Sequence, residues 1–253
     1  MSLFDPVASI PAGMRAHAAR KEREARAAGR SIERLPFTIR RVETESDLLK
    51  AVRIRHAAYA RHVPEFARTL LHPEAADYEQ DTIVLLAESR LDGTPLGSTR
   101  IRTNLFRPLG VEESVVLPDW LQGRRLVEAT RLGIDEGRVG RMVKVALIKA
   151  CFMVCEENAI DYSVATGRPP VDRQYEHMLF SDVLPDQGPV PLRHVGNIPH
   201  RVMAFEIATF EQRYRAARHP LRTFFFDTHH PDIDIGARVV DSAALQAREF
   251  AAA

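Results

Sequence analysis

The sequence contains little cysteine: its 253 residues include two, Cys151 and Cys155, beside a single tryptophan. Two cysteines exclude a disulfide framework. They lie four residues apart in an apparent helix and therefore share one face, but the usual metal sites need more ligands than two thiolates. A redox or metal pair is the alternative; buried packing is favoured, because a free cysteine behaves as a small hydrophobe.

The sequence also has no large excess of charge, since its 35 lysines and arginines are nearly balanced by 34 aspartates and glutamates. This balance gives no argument for a nucleic-acid partner. No apolar run approaches the ~20 residues of a membrane span, and residues 1–6 lack the charged and apolar regions that open a signal peptide. We therefore expect a cytoplasmic protein with no membrane span and no nucleic-acid partner.

Composition divides the chain into three parts. Residues 1–36 are predicted to form an N-terminal extension with a charged helix over residues 15–30, where Glu22 and Arg26 have i,i+4 spacing. A nucleic-acid arm is the alternative for this helix, but acidic residues interrupt the basic ones and favour a solvated or self-associating helix. Residues 37–220 form the main domain, and residues 221–253 a C-terminal extension that packs on it and ends in a helix over residues 241–253.

Within the main domain, periodicity predicts alternating strands and helices. The predicted strands cover residues 37–42, 82–87, 96–103, 123–134 and 161–165. The predicted helices cover residues 45–59, with Ser46 as N-cap and Leu49 in the apolar stripe, and residues 139–158. Asp92-Gly93 indicates a hairpin between the second and third strands. The helix at residues 139–158 lies between two predicted strands. This order predicts that the two strands are parallel, with a right-handed crossover, and that a ligand binds near their carboxyl ends.

Later elements have weaker signals. We expect a helix over residues 169–180, an antiparallel pair of residues 190–195 with 201–208, and a helix capped by Thr209.

The motif Glu128-Ala129-Thr130-Arg131 ends the fourth predicted strand, and Gly97-Ser98-Thr99-Arg100 lies in the third. Side chains alternate across a strand, so an acidic and a basic residue three apart cannot share a face unless the strand bulges or ends there. With Arg55, Tyr59 and Asp77, these motifs resemble the pattern shared by acyl-homoserine lactone synthases and N-acyl amino acid synthases. The resemblance covers roughly residues 40–173.

Both families are variants of the GNAT acyltransferase fold. The resemblance therefore implies an α/β, three-layer fold with a central mixed sheet splayed between its fourth and fifth strands. The pantetheine arm of an acyl thioester would lie in the splay, and Arg131 and Thr166 would lie near the carboxyl ends of these strands.

The resemblance also implies roles for the charged residues. Glu128 is expected to be the general base for an amine acceptor; its alternative role is an ion pair with Arg131 or Arg100. Arg100 and Arg131 can each bind the carboxylate of an acceptor in bidentate geometry. Their alternative role is structural, as partners of Asp77 and Glu128 in an ion-pair network. For Arg100 the structural role is favoured.

The remaining members of the pattern keep two interpretations each. Asp77 would recognise the acceptor's ammonium or pair with Arg100, and Asp81 lies close enough in sequence to compete for that assignment. Tyr59 would line the cleft, or be plain core on an amphipathic helix.

Departures from the families point to the donor and the acceptor. Residues 136–141, Glu-Gly-Arg-Val-Gly-Arg, lack the glycine spacing of a coenzyme A pyrophosphate loop. This favours an acyl carrier protein donor, whose acidic surface would meet basic residues near the cleft mouth. These residues are Arg138, Arg141, Lys144 and Lys149. The tryptophan that many lactone synthases carry after the Tyr59 position is absent from residues 63–66, which disfavours S-adenosylmethionine as acceptor.

The sequence thus predicts an enzyme that moves a long-chain acyl group from an acyl carrier protein to an amino acid, without a metal or a further cofactor. The alternatives are a lactone synthase that uses S-adenosylmethionine and a non-catalytic domain that binds an acyl carrier protein or effector. His229, His230, Asp232 and Asp234 include metal-binding residue types, but a polar loop is favoured there. Arg173 or Tyr175 is expected to face the acyl channel.

Overall fold

The computed structural model describes residues 12–236 and Val239. The helix predicted for residues 241–253 lies outside these described residues. Among them, no helix is both long enough and apolar enough to cross a membrane.

A mixed β-sheet forms the centre of the protein. Its long strands are β1 (Phe37–Arg41), β2 (Thr82–Ser89), β3 (Pro95–Thr103), β4 (Leu126–Ile134), β5 (Tyr162–Gly167) and β6 (Ile198–Glu206). Strands β1 to β4 are antiparallel neighbours, β4 and β5 are parallel, and β5 and β6 are antiparallel. Short strands extend the sheet: Ser181–Asp182 and Val190–Leu192 pair with β6, and Ile233–Asp234 pairs in parallel with β1.

Helices cover both faces of the sheet. They are α1 (Ala12–Ala27), α2 (Glu45–Ala60), α3 (Gly140–Glu157), α4 (Asp172–His177) and α5 (Phe210–Ala216), with short helical turns at Pro64–Ala67, Arg68–Leu70, Ala75–Tyr78, Arg193–Val195, Ile207–Thr209 and Thr223–Asp227. The alternation of β2 explains the layers: Ile83 and Leu85 belong to the core under α3, whereas Val84 and Leu86 pack with α2. The expected three-layer α/β architecture is confirmed.

The predicted parallel pair is present, and it is short. Strands β4 and β5 pair over three residue pairs, from Leu126–Tyr162 to Glu128–Val164. Beyond Glu128 and Val164, the described residues of the two strands no longer pair with each other. The sheet is therefore splayed between its fourth and fifth long strands, with α3 as the crossover helix.

Some local predictions were wrong. Thr44, not Ser46, caps α2: its hydroxyl accepts a hydrogen bond from the Asp47 N–H at 3.2 Å and donates one to the Asp47 carboxylate. Leu49 is largely exposed, because the apolar stripe of α2 follows Leu48 and Val52 instead. The helix predicted for residues 169–180 is only α4, since the two prolines at 169 and 170 precede it in a turn. Thr209 precedes α5 without a side-chain cap; its hydroxyl bonds to the Glu206 carbonyl.

The segment before residue 37 contacts both the segment after residue 220 and helix α3. Residues Ser31–Ile32 pair in parallel with Thr228–His229. The Asp232 carboxylate accepts a hydrogen bond from the Leu35 N–H at 2.8 Å, and Lys21 on α1 pairs with Glu157 on α3.

Candidate active site

Five charged side chains meet on the α2 side of the sheet. Arg55 donates to both Asp77 carboxylate oxygens at 2.9 Å, and neither side chain is exposed to solvent. Arg100 lies 3.0 Å from Glu74 and 3.3 Å from Asp77. Arg131 forms a bidentate pair with Glu74, with both contacts at 2.8 Å. We call these residues the arginine cluster; it brings together four predicted site residues and Glu74.

Local structure preorganises the cluster. The turn Ala75–Tyr78 is closed by Glu74 and Asp77: the Asp77 carboxylate accepts a hydrogen bond from the Glu74 N–H at 2.8 Å, and the Glu74 backbone carbonyl accepts one from the Asp77 N–H at 2.8 Å. Gly133 lets α2 approach β4: a methyl group at this position would lie 2.9 Å from the Arg55 Cα. Only the absence of a side chain there lets α2 carry Arg55 this close to the sheet.

The cluster holds one positive charge in excess, since three guanidinium groups face two carboxylates. Burial, the largest single influence, would raise the pKa values of Glu74 and Asp77, but hydrogen bonds from Arg131 and Arg55 together with the charges of the surrounding arginines outweigh it and hold both pKa values below the ordinary range. Both carboxylates are therefore ionised at neutral pH, and the excess positive charge favours an additional anion. Asp81, the competing candidate, is buried elsewhere beside Arg107.

A bulge in β4 turns Arg131 into the cluster. Ser98 pairs with Gly133 but Arg100 pairs with Thr130, so Arg131 and Leu132 face the single residue between Ser98 and Arg100 on β3. Arg131 has φ +55°, a conformation that costs a residue other than glycine roughly 1–3 kcal/mol. Because of the bulge, Val127 and Leu132 pack on the same α3-side core despite their odd spacing. Glu128 and Arg131 consequently reach the same cleft.

Glu128 occupies the point where β4 and β5 separate. Its side chain is 1% exposed, and its Oε1 lies 3.5 Å from the Thr166 hydroxyl and 3.3 Å from His194 Nε2. The ion pair with Arg100 or Arg131, which was the alternative interpretation of Glu128, is not formed among the described residues. Arg131 instead donates from Nη2 to the His194 backbone carbonyl at 3.3 Å.

Tyr59 packs beside the cluster. Its ring lies 5.8 Å from that of Phe66, and the Arg131 guanidinium stacks over Phe66 at 5.0 Å. Burial raises the pKa of Tyr59, partly offset by Arg131 and Arg55, so the phenol stays protonated. Phe66 thus forms the aromatic wall in the segment where the sequence lacks a tryptophan.

An apolar cavity of about 50 Å³ lies at the splay, bounded by β4, β5, α3 and α4. Its lining includes Ala129, Cys151, Cys155, Ala165 and the predicted channel residue Tyr175. Burial raises the pKa of Cys151 to about 12, so this thiol is protonated and behaves as an apolar wall.

The basic residues predicted to meet a carrier protein divide into two groups. Arg138 and Arg141 are exposed at the start of α3, and Lys144 is half-buried and bonds to Gln174 on α4. Lys149 does not fit this surface: it is buried and donates to the Phe224 and Thr228 carbonyls, both at 2.6 Å. Its face of α3 packs on the C-terminal segment, so it is unavailable to a protein partner.

A larger cavity, about 500 Å³, lies beside Lys149 and His230, between α1, α3 and the segment before Ile233–Asp234. It lies away from Glu128, with Phe152 lining both this cavity and the one at the splay. Lys149 Nζ contacts His230 Nδ1 at 2.9 Å, and burial lowers the pKa of Lys149 to about 8. Among the side chains that the structure describes, no three His, Cys, Asp or Glu residues come close enough together to hold a metal ion.

Sequence reasoning missed Glu74 and His194. Glu74 lies three residues before Asp77, at capping-box spacing, and this signal was available in the sequence. His194 follows Glu128 by 66 positions in an irregular segment. No local pattern connects them, and only the folded sheet brings them together.

The splayed sheet, the buried Glu128 and the arginine cluster define an acyltransferase of the GNAT fold. The family model for the N-acyl amino acid synthase FeeM matches residues 50–206. The match covers more than half of the chain, and the protein belongs to this family.

Two solved structures support the fold. The first is FeeM, described as an N-acyl amino acid synthase from uncultured soil microbes, with a TM-score of 0.53 and 17% identity over 74% of this chain and 96% of FeeM. The second is BjaI, described as a CoA-dependent acyl-homoserine lactone synthase, with a TM-score of 0.54 and 17% identity over 82% of this chain and 99% of BjaI. No curated protein sequence matches the chain.

Proposed function

We propose that this acyltransferase moves a long-chain acyl group from an acyl carrier protein to the amino group of an amino acid. The observation that carries the proposal is the position of Glu128: its neighbour Ala129 lines the apolar cavity, and its contact His194 accepts a hydrogen bond from Arg131 of the positively charged cluster. An amino acid offers a carboxylate to the arginines and an amine to Glu128. A long acyl chain matches the apolar walls of the splay.

The acceptor carboxylate would bind at Arg100 and Arg131. Both guanidinium groups are almost fully buried, and the cluster's two carboxylates leave one positive charge uncompensated. Charge-assisted hydrogen bonds from arginine to a carboxylate are roughly twice as strong as neutral ones, and bidentate geometry adds specificity. Arg100 and Arg131 then hold Glu74 and the substrate together, which combines their predicted structural and binding roles.

The reaction requires the acceptor nitrogen to lose two protons. Glu128 accepts one from the ammonium, the amine attacks the thioester carbon, and a carbon–nitrogen bond replaces the carbon–sulfur bond. The leaving thiolate takes the second proton from the nitrogen. Beyond Glu128 the β4 edge no longer pairs with β5, so its backbone N–H groups can stabilise the negative charge on the thioester oxygen.

The acyl chain would enter the cavity between the splayed strands. This cavity is smaller than a long acyl chain, so the chain must widen it as it enters, a local rearrangement of the kind that binding commonly induces. Besides the sheet, its walls are side chains of α3 and α4, which can move away from β5 without breaking the three β4–β5 residue pairs.

The geometry before α3 favours a carrier protein over coenzyme A. The Gly137 N–H donates to the Asp135 carboxylate at 3.1 Å, so an acidic group occupies the place where a pyrophosphate would accept hydrogen bonds. A Cβ atom added to Gly140 would lie 2.5 Å from the Asp135 carbonyl oxygen, so residues 135 and 140 are packed closely together in this loop. Arg138 and Arg141 remain exposed for an acidic protein surface.

The proposal is tested by incubating the purified protein with palmitoyl acyl carrier protein or palmitoyl coenzyme A and a mixture of amino acids. Mass spectrometry and a thiol assay measure the products. We expect an N-acyl amino acid, formed faster from the carrier protein. An acyl-homoserine lactone formed only with S-adenosylmethionine would establish the lactone synthase instead, and no thiol release with any donor would establish a binding domain.

A substitution at the splay should shorten the acyl chain that the enzyme accepts. Cys151→Phe fills the apolar cavity, so we expect the rate with a palmitoyl donor to fall by about 10-fold or more, whereas an octanoyl donor is little affected. Met142→Phe, on the exposed side of the same helix, is the control and should leave both rates unchanged. Equal losses with both donors would place the acyl chain elsewhere.

A further inference from the structure

The large cavity beside Lys149 and His230 has the size and the walls of a ligand site. Its volume of about 500 Å³ lies within the roughly 300–1,000 Å³ of small-molecule pockets, and it shares no lining residue with the arginine cluster. Ala25, a buried residue of α1, contributes to its walls. Its aromatic lining consists of Phe152, Phe210, Phe225 and Phe226. The cavity therefore offers an apolar surface to the body of a ligand.

Lys149 brings a buried positive charge to this cavity. Burial is the main cause that lowers its pKa to about 8, so the ammonium form still predominates at pH 7. Its Nζ donates to the carbonyls of Phe224 and Thr228, at 2.6 Å each, and contacts Nδ1 of His230 at 2.9 Å. None of these three partners carries a negative charge. Buried charges in proteins are usually paired, so the ammonium would stabilise an anion bound beside it.

His230 has an N–H group without a partner among the described residues. Lys149 can only donate, so Nδ1 of His230 is the acceptor in their contact. Burial, followed by the charge of Lys149, lowers the pKa of His230 to about 4, so the ring is neutral and its proton lies on Nε2. The residue is 2% exposed, and its Nε2 has no hydrogen-bond partner. Because the ammonium at Nδ1 polarises the ring, this buried donor is suited to an anionic acceptor.

The remaining charges around the cavity favour a ligand with one negative charge. Two of the acidic lining residues are balanced in ion pairs, Lys21–Glu157 and Arg20–Glu24. Among the other lining residues, the cations Arg30 and Lys149 outnumber the single acid Glu156. A carboxylate balances the one positive charge in excess, whereas a phosphate dianion would bring a second negative charge close to Glu156.

We propose that this cavity is a second ligand site of the protein, for a carboxylate that carries an apolar body. The carboxylate accepts the Nε2–H of His230 and balances the charge of Lys149, while the apolar body packs on the phenylalanines. Binding is non-covalent and needs no further reactant. The site lies apart from Glu128 and goes beyond the proposed N-acyl transfer, on which it does not depend.

Isothermal titration calorimetry of the full chain with dodecanoate, below its micelle-forming concentration, tests this site. His230→Phe keeps a ring of similar shape and removes the donor, so we expect Kd to rise about 10-fold or more, the usual effect of losing a hydrogen bond to a charged group. Dodecanol has the same apolar body without the charge. It should bind the wild type about 10-fold less tightly than dodecanoate, and it should not distinguish the wild type from His230→Phe.

Ala25→Phe is the second variant, because its added ring fills part of the cavity and leaves His230 and Lys149 unchanged. Kd for dodecanoate should again rise by about 10-fold or more. Ala27→Phe is the matched control: Ala27 lies on the same helix, is exposed and does not line the cavity, so Kd should stay at the wild-type value.

Three results would overturn the second site. Dodecanoate that binds either His230→Phe or Ala25→Phe as tightly as the wild type would lie elsewhere, the catalytic cleft included. Equal affinity of the wild type for dodecanol would remove the role of the charge, and a wild type that does not bind dodecanoate would have no such site. The titration involves no acyl transfer, so its outcome is separate from that of the proposed function.

Discussion

Glu128→Gln is expected to lower kcat for N-acyl transfer by about 10²–10⁴-fold, the usual effect of losing a general base. Glutamine has the shape of glutamate, so it can keep the contacts with Thr166 and His194, but its amide cannot accept a proton from the ammonium. Binding of the acceptor should change little, because the arginines that would hold its carboxylate are untouched. The measurement is kcat and KM for the amino acid, with product identified by mass spectrometry.

The control for this substitution is Glu176→Gln. Glu176 lies on α4, is half exposed and pairs with Arg201 outside the cleft, so its loss of charge should leave kcat near the wild-type value. Full turnover by Glu128→Gln would remove Glu128 from the role of base. A fall in kcat shared by both variants would indicate a general electrostatic effect instead.

Asp77→Ala is expected to lower the free energy of unfolding by about 3–5 kcal/mol, which is the cost of breaking a buried ion pair by removing one partner. Arg55 is fully buried, and both of its Nη atoms bond to Asp77. Without Asp77 the arginine cluster would hold three cations and a single carboxylate. Urea unfolding followed by circular dichroism measures the difference.

An exposed ion pair supplies the comparison for Asp77. Glu65 pairs with Arg68 at the surface, with both side chains more than two-thirds exposed, and Glu65→Ala should cost less than about 1 kcal/mol. A similarly small loss for Asp77→Ala would mean that the cluster contributes little to stability.

The contribution of Asp77 should also depend on pH. Its pKa in the folded protein lies below the ordinary value of about 3.9. The stabilisation is therefore complete above that value and is lost as the pH falls through the folded pKa. The difference in unfolding free energy between wild type and Asp77→Ala should accordingly shrink in acid, and a difference that grew there would contradict the assignment.

Much of the fold could be predicted from the sequence because its main strands have strong local signals. The unbroken apolar run that begins at Thr82 needs cover on both faces, and α2 and α3 supply it. The splay between β4 and β5 was predicted from the resemblance to the synthase families, because hydrophobic periodicity does not indicate it. The wrong predictions arose where two local signals compete. Thr44 and Ser46 both favour a helix N-cap. Leu49 is apolar like its neighbour Leu48, but it lies on the exposed face of α2.

The site was predictable only in part. Arg55, Asp77, Arg100 and Arg131 converge as the family pattern suggested, although their roles stay predictions. Glu128 does not form the ion pair with Arg100 or Arg131 that was its alternative interpretation, because its side chain contacts Thr166 on β5 and His194 instead. Lys149 shows the opposite limit: it follows exposed basic residues in sequence but is buried, since the five positions from Lys144 to Lys149 turn the side chain by about 140° around α3.

The bulge at Arg131 makes the length of β4 as important as its composition. A strand presents alternate residues to alternate faces, and the bulge places two residues of β4 opposite Thr99 alone. Deleting Leu132 would remove the bulge, pair Arg131 with Thr99 and send its side chain to the core side, while Gly133 and Ile134 keep their partners on β3. A natural relative could therefore keep the whole Glu-x-Thr-Arg motif and still lose the acceptor site through a single deletion a residue or two beyond it.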